Sequence, residues 1–155
     1  MSIRIGFIGT GSRGTSLLGE ALRHEDVDVP ALCDIKSDNL DRALEVVERS
    51  RGSRPKLFPE YGPLLARDDV DAVVIATPQE DHASIAVEAM RAGKFVASEV
   101  PACTTLEECR DLVRAHEESG SGYMLLENCC YWPHVMQVQR MKAFGVVEQV
   151  GMLAR

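Results

Sequence analysis

The sequence predicts an open, doubly wound parallel α/β sheet, followed at its carboxyl end by the start of a second α+β unit. Three observations predict it. Short apolar runs of strand length alternate along the chain with amphipathic runs of helical period, the pattern of successive βαβ units. The first unit carries a glycine turn, Gly9-Thr10-Gly11-Ser12-Arg13-Gly14, between its strand and its helix. The second strand ends on Asp34, 20 residues beyond Gly14.

The elements follow in order. Ile3 to Ile8 is a buried strand, and Leu17, Leu18, Ala21 and Leu22 mark the helix after the glycine turn. Val27 to Cys33 is the second strand. Leu40, Ala43, Leu44 and Val47 form a helical stripe. The basic Pro/Gly-containing segment Ser50 to Lys56 reads as a loop, Leu57-Phe58 as a short strand, and Tyr61 to Arg67 as a helical turn. Val70 to Ala76 is apolar enough to be buried on both faces, and Thr77-Pro78 ends it. Asp81 to Arg91 is a helix that turns Ile85, Ala86, Ala89 and Met90 inward and closes at Gly93. Lys94 to Ser98 is a strand. Thr104 or Thr105 starts a helix with Leu106, Cys109, Leu112 and Val113 on its buried face. Thr104 with Glu107 matches a capping box. Gly122 to Leu126 is the last strand of the sheet. Val135, Val138, Met141 and Phe144 then line a helix, and Val146 to Leu153 reads as one more strand.

The glycine turn has chemical content. Gly9 permits the tight turn, Gly11 lets a pyrophosphate approach the backbone, and Gly14 lets the helix pack close to the sheet. The helix N-terminus offers unpaired N–H groups and partial positive charge to phosphates. Thr10 and Ser12 are placed for backbone or hydroxyl contacts, and Arg13 for a phosphate or the adenine. Asp34 stands where a carboxylate accepts from the adenosine ribose hydroxyls and repels a 2′-phosphate, which favours NAD over NADP. The plainer reading of Asp34 is a cap for the following helix, although Ser37 or Asp38 can take that role.

Composition narrows the classes. The net charge is −7 with 17 Lys and Arg against 24 Asp and Glu, so neither nucleic acid nor an anionic membrane is an expected partner. No apolar run approaches the roughly 20 residues of a membrane span, and the first strand begins without an apolar leader, so a cytoplasmic location is expected. The five cysteines, Cys33, Cys103, Cys109, Cys129 and Cys130, are odd in number and contain no C-x-x-C. They read as reduced, mostly buried thiols, with neither a disulfide framework nor a metal site. No Ser-His-Asp spacing is present.

Further motifs carry a family resemblance: Ala76-Thr77-Pro78 with His82, the Ala89-Met90-Arg91-Ala92-Gly93-Lys94 helix end, Glu99-Val100-Pro101, Glu127-Asn128, and Phe144-Gly145-x-Val147-x-x-Val150-Gly151. With the glycine turn and Asp34, they make the chain resemble the N-terminal half of the Gfo/Idh/MocA oxidoreductases. Members of that family are usually more than twice this long, with a second domain that closes over a sugar. One departure is informative. Most dehydrogenases of the family read Glu-Lys-Pro where this chain has Glu99-Val100-Pro101, and valine cannot transfer the proton that the lysine handles.

That departure, with Thr105-Leu106-Glu107-Glu108-Cys109 and Tyr123-Met124-Leu125-Leu126-Glu127-Asn128-Cys129-Cys130-Tyr131, resembles the NAD-dependent redox glycoside hydrolase branch of α-N-acetylgalactosaminidase type. The resemblance implies a retained NAD that oxidises the sugar at C3, elimination of the aglycone, addition of water, and return of the hydride. The alternatives are an ordinary NAD(P)-dependent sugar or polyol dehydrogenase, and a nucleotide-binding fragment without catalysis.

The resemblance also assigns Thr77, Pro78, His82, Glu99 and Asn128 to the cofactor. Glu99 is expected to bond the nicotinamide ribose, the alternative being a solvated strand end. His82 is balanced between orienting the cofactor and packing. Asn128 is a candidate ligand of the carboxamide or ribose, against a helix-capping role. Glu127 is the candidate catalytic group, as acid, base or sugar ligand. Tyr131, Trp132 and His134 read chiefly as packing at a domain junction. A nucleotide-binding domain over 1–130 and the start of a substrate domain over 131–155 are expected. Little turnover is expected from the chain alone. Its apolar tail is expected to fray or to pack on a neighbouring copy, in a homo-oligomer.

Overall fold

A computed structural model describes residues 2–145. Six parallel strands form one sheet: β1 (Ile3–Ile8), β2 (Val27–Cys33), β3 (Lys56–Phe58), β4 (Ala72–Ile75), β5 (Phe95–Ser98) and β6 (Tyr123–Leu125), in the spatial order β3-β2-β1-β4-β5-β6. The helices are α1 (Ser12–Ala21), α2 (Ser37–Arg51), α3 (Tyr61–Leu65), α4 (His82–Arg91), α5 (Leu106–Ser119) and α6 (Pro133–Ala143). The order reverses between β1 and β4, which makes a doubly wound Rossmann-like sheet with its switch point there.

Two cores form, one on each face. Phe7, Val29 and Leu32 pack under Leu18 and Leu22 of α1 and under Leu40, Ala43 and Val47 of α2. Ile8, Cys33, Val73, Ile75 and Val96 pack against α3, α4 and α5 through Leu64, Ile85, Met90 and Leu112, among others. The stripes read from sequence on α2 and α4 are therefore the buried ones.

One strand departs from plain alternation. Arg4 pairs with Asp28 but Gly6 pairs with Ala31, so β2 spends one extra residue opposite β1. Pro30 sits in that interval and has no N–H for the ladder, so a bulge accommodates it. The bulge sends Val29 to the α1/α2 face and Ala31 to the other, although two residues apart in a regular strand share a face.

Two local expectations are corrected. The capping box of α5 is Thr105 with Glu108, not Thr104 with Glu107, and both reciprocal bonds are present. The buried residues of α5 are Leu112 and Ala115, whereas Leu106 and Val113 are 77% and 57% exposed and Cys109 is exposed. The thiols are also less buried than expected: Cys33 is buried, and the other four are half-buried or exposed.

After β6 the chain makes a 3-10 turn at Cys129–Tyr131 and enters α6, in which no residue is buried. Met136, Met141 and Phe144 on or beside α6 are exposed. The strand expected over Val146 to Leu153 lies outside the described residues. Among the described residues no helix is long and apolar enough to cross a membrane, and no group of three or more His, Cys, Asp or Glu side chains is placed to hold a metal ion.

Candidate functional site

The carboxyl ends of β1 and β4 open a cavity of about 820 Å³ at the switch point, where open α/β sheets bind ligands. Two loops meet at its floor. Gly9 has φ +85°, and a Cβ there would lie 2.6–2.7 Å from backbone atoms of Ala76 and Thr77. A Cβ on Gly14 would fall 1.9 Å from the Gly9 carbonyl oxygen. These two glycines are required by the chain itself.

Gly11 differs. Its hypothetical Cβ meets nothing nearer than Asn39 Nδ2 at 4.0 Å, and the residue lines the cavity. Gly11 is also the N-cap of α1, with no side-chain cap and no acidic residue in the first turn. Unpaired N–H groups thus face open space, which suits a phosphate. Thr77 adds a buried hydroxyl, Oγ1, with no hydrogen-bond partner. A bare helix start, a glycine that leaves room and an orphaned hydroxyl are together the features that fit a dinucleotide.

Asp34 is 9% exposed and lines the cavity. Its Oδ2 accepts from the Thr10 N–H at 2.7 Å and from Asn39 Nδ2 at 3.0 Å, and Oδ1 accepts from the Lys36 N–H at 2.9 Å. The carboxylate therefore braces the glycine turn and the start of α2 at once. The N-cap position of α2 is Lys36, with no side-chain cap, rather than Ser37 or Asp38. Oδ1 holds a single internal donor and keeps capacity for a ribose hydroxyl.

Arg13 and Glu99 do not stand apart as ligands of two different groups. Arg13 Nε and Nη2 lie 2.6 and 2.5 Å from Glu99 Oε1, so the glycine turn is tied across to the end of β5. Glu99 is 7% exposed and its other oxygen accepts only the Val100 N–H, at 3.3 Å. Arg13 lines the cavity; Glu99 does not.

Thr10 and His82 are turned away from the cavity. Thr10 is fully buried, and its carbonyl accepts from Thr15 Oγ1 at 2.8 Å. His82 is 2% exposed, with Nδ1 2.8 Å from the Pro101 carbonyl oxygen and Nε2 2.9 Å from that of Thr77. The ring thus ties the loops after β4 and β5 together from beneath. His82→Leu is expected to leave the carbonyl served by the ring N–H without its donor, to put an apolar side chain between the two loops, and to cost about 2–4 kcal/mol. Thermal unfolding checks this as a melting temperature lower by roughly 5–15 °C in a domain of this size.

Glu127 and Asn128 follow β6 at the same edge of the sheet and are exposed. Glu127 Oε1 accepts the Cys129 N–H at 2.7 Å, which lowers the pKa of Glu127 and keeps it a carboxylate at neutral pH. A base or a sugar ligand fits that state. The Asn128 side chain makes no helix cap.

Several cavity residues escaped the sequence motifs, among them Ile35, Lys36, Asn39, Glu60 and Tyr61. Ile35 is 86% exposed beside Asp34, an apolar surface suited to a planar base. An apolar residue just past the strand end, directly after Asp34, was the available signal. Glu60 and Tyr61 arrive from the β3–α3 loop and carry no motif.

Comparisons with known proteins agree with this geometry. A family model described as an oxidoreductase family with an NAD-binding Rossmann fold matches residues 3–126. A glycosyl hydrolase family 109 protein of Stenotrophomonas maltophilia is 41% identical over 150 residues, covering 93% of this chain and 33% of the relative. An alpha-N-acetylgalactosaminidase of Bacteroides fragilis is 38% identical over 153 residues, covering 96% and 36%. The crystal structure of the WlbA dehydrogenase from Bordetella pertussis, in complex with NADH and UDP-GlcNAcA, superposes with a TM-score of 0.80 at 27% identity, covering 94% of this chain and 43% of that one. The chain spans about a third of the length of the curated relatives it matches.

Proposed function

Because the chain belongs to the Gfo/Idh/MocA oxidoreductase family and forms its NAD-binding Rossmann domain, we propose that it is the NAD-preferring domain of a sugar-active enzyme that hydrolyses glycosides by a redox route. NAD held there would supply a reversible acceptor and donor of hydride for the sugar. The chain's own groups do the holding. The N–H groups at the start of α1 and the space at Gly11 take the pyrophosphate, Asp34 Oδ1 takes an adenosine ribose hydroxyl, and Arg13 fixes the Glu99 carboxylate at the far edge.

The observation that carries the glycosidase reading is Val100. It is 41% exposed directly after Glu99, at the strand end where the resemblance places a proton-handling lysine in ordinary dehydrogenases. An alkyl side chain there leaves proton transfer to other groups, and Glu127, ionised and exposed beyond β6, suits a base or a sugar ligand. The names of the relatives from Stenotrophomonas and Bacteroides support the same substrate class. Nucleic acid is not among the proposed partners, since the net charge is −7. A cytoplasmic homo-oligomer is the proposed state.

The test has two arms. Mass spectrometry of the small molecule released on denaturing the purified chain is expected to find NAD. The chain extended by the reading frame that follows Arg155 is expected to cleave aryl glycosides of N-acetylhexosamines without accumulating NADH. Net NADH from free sugars points instead to a dehydrogenase, and a stop directly after Arg155 points to a nucleotide-binding protein without sugar chemistry. The absence of any nucleotide affinity defeats all three readings.

A further inference from the structure

The segment behind Glu99 carries two thiols that neither the fold nor the cofactor site uses. Cys103 Sγ and Cys109 Sγ lie 2.9 Å apart. The five residues between them are held by a dense local network. Thr104 N and Oγ1 donate to Glu108 Oε2 at 2.7 and 2.9 Å, Thr105 N donates to the same oxygen at 3.0 Å, and Glu108 N donates to Thr105 Oγ1 at 3.2 Å. The capping box that starts α5 thus folds the chain so that the two sulfurs meet. The ordering that a bridge normally requires is already present.

From this juxtaposition we propose that Cys103 and Cys109 form a redox-active dithiol, a modification site for small disulfides such as oxidised glutathione. The two sulfurs have different surroundings. Cys109 is exposed on the first turn of α5, so it meets the oxidant. Cys103 is half-buried against the core that includes α4 and α5. Its thiol is pushed up to about 11 by its hydrogen bond with Cys109 and by burial, so it holds its proton until the second step. Cys33 makes a contrast. Burial and the neighbouring Asp34 and Glu60 charges push its thiol up to about 12, which leaves it inert.

The chemistry balances. The Cys109 thiolate attacks one sulfur of the small disulfide, the S–S bond breaks, and one thiolate leaves with the electron pair. Cys103 gives its proton to solvent and attacks Cys109 Sγ in the mixed disulfide, expelling the second thiolate. Two protein thiols are oxidised to one disulfide, and one small disulfide is reduced to two thiols. The product ties the turn after Pro101, whose carbonyl faces the buried His82, to the start of α5.

The test uses the whole chain, fully reduced and then exposed to excess oxidised glutathione, quenched in acid, alkylated and cut with trypsin. The peptide Phe95–Arg110 contains Cys103 and Cys109 and no other cysteine. It is expected to be unalkylated and lighter than its reduced form by two hydrogens, about 2 Da, with Cys33, Cys129 and Cys130 still alkylated. The exposed Cys109→Ser substitution is expected to abolish the bridge and leave Cys103 alkylated or carrying glutathione. A second measurement is independent of oxidation. Phenylarsine oxide, which bridges neighbouring thiols, is expected to bind the reduced native chain and to bind C109S at least about 10-fold more weakly. Alkylation or glutathionylation of both cysteines with no bridged peptide, or a bridge at Cys129–Cys130 instead, overturns the proposal. So does equal arsenical binding by both proteins.

Discussion

Gly11→Val is expected to lower NAD affinity by about 100-fold or more, roughly 2.7 kcal/mol, while the melting temperature moves by less than about 3 °C. The backbone at Gly11 has φ −62°, which any residue adopts, and its Cβ direction is open to 4.0 Å. Nothing in the fold resists the new side chain. It occupies the space where the α1 N-terminus faces the cavity, which the fingerprint assigns to the pyrophosphate. Gly14→Val is the contrasting variant. Its Cβ would collide with the Gly9 carbonyl 1.9 Å away, so stability fails along with binding. Titration and thermal unfolding of the two variants separate a glycine kept for the ligand from one kept for the fold. If Gly11→Val binds NAD as tightly as the unaltered chain, the pyrophosphate lies elsewhere.

The architecture was largely legible because it rests on period and punctuation. The apolar runs of β1, β2, β4 and β5, buried on both faces, need no tertiary information to stand out. The stripe of α2 is a clean helical repeat that one face of the sheet absorbs. What escaped depended on one-residue choices between near-equal competitors. Thr104 and Thr105 both have a glutamate three residues on. Thr105 takes the cap, and Leu112 and Ala115 are buried while Leu106 is left outside. At Pro30 the residue type announced a ladder defect but not which neighbour would change faces.

The candidate site was legible as a set of positions and less so as a set of roles. Gly9, Gly11, Asp34, Ser12, Arg13, Thr77 and Pro78 line one cavity through β1, β2 and β4, and Gly14 packs beneath it against the Gly9 backbone. The pairing of Arg13 with Glu99 joins residues 86 apart in the chain, and no spacing rule announces such an ion pair. Both ring nitrogens of His82 face backbone carbonyls, a long-range arrangement that its place in a helix could not reveal.

Asp34→Ala is expected to have two separable effects, because the carboxylate works inward and outward. Inward, it is the partner of the Thr10 N–H, which is buried, and of the Lys36 N–H at the start of α2. Deleting it strands a buried donor and loosens the glycine turn, at about 2–4 kcal/mol. Outward, its charge opposes a 2′-phosphate, while the Lys36 side chain beside the cavity attracts one. Without the carboxylate the ratio of NAD to NADP affinity should fall by about 10-fold or more, near 1.4 kcal/mol. Asp34→Asn distinguishes the two. Its amide oxygen still accepts the Thr10 N–H, but its NH2 then faces the Lys36 N–H, so it recovers only part of the stability; its charge is gone, so discrimination falls as in the alanine variant. Thermal unfolding and paired NAD and NADP titrations on the three proteins read both effects. An unchanged affinity ratio in Asp34→Asn removes Asp34 from cofactor choice and leaves it as the brace between the glycine turn and α2.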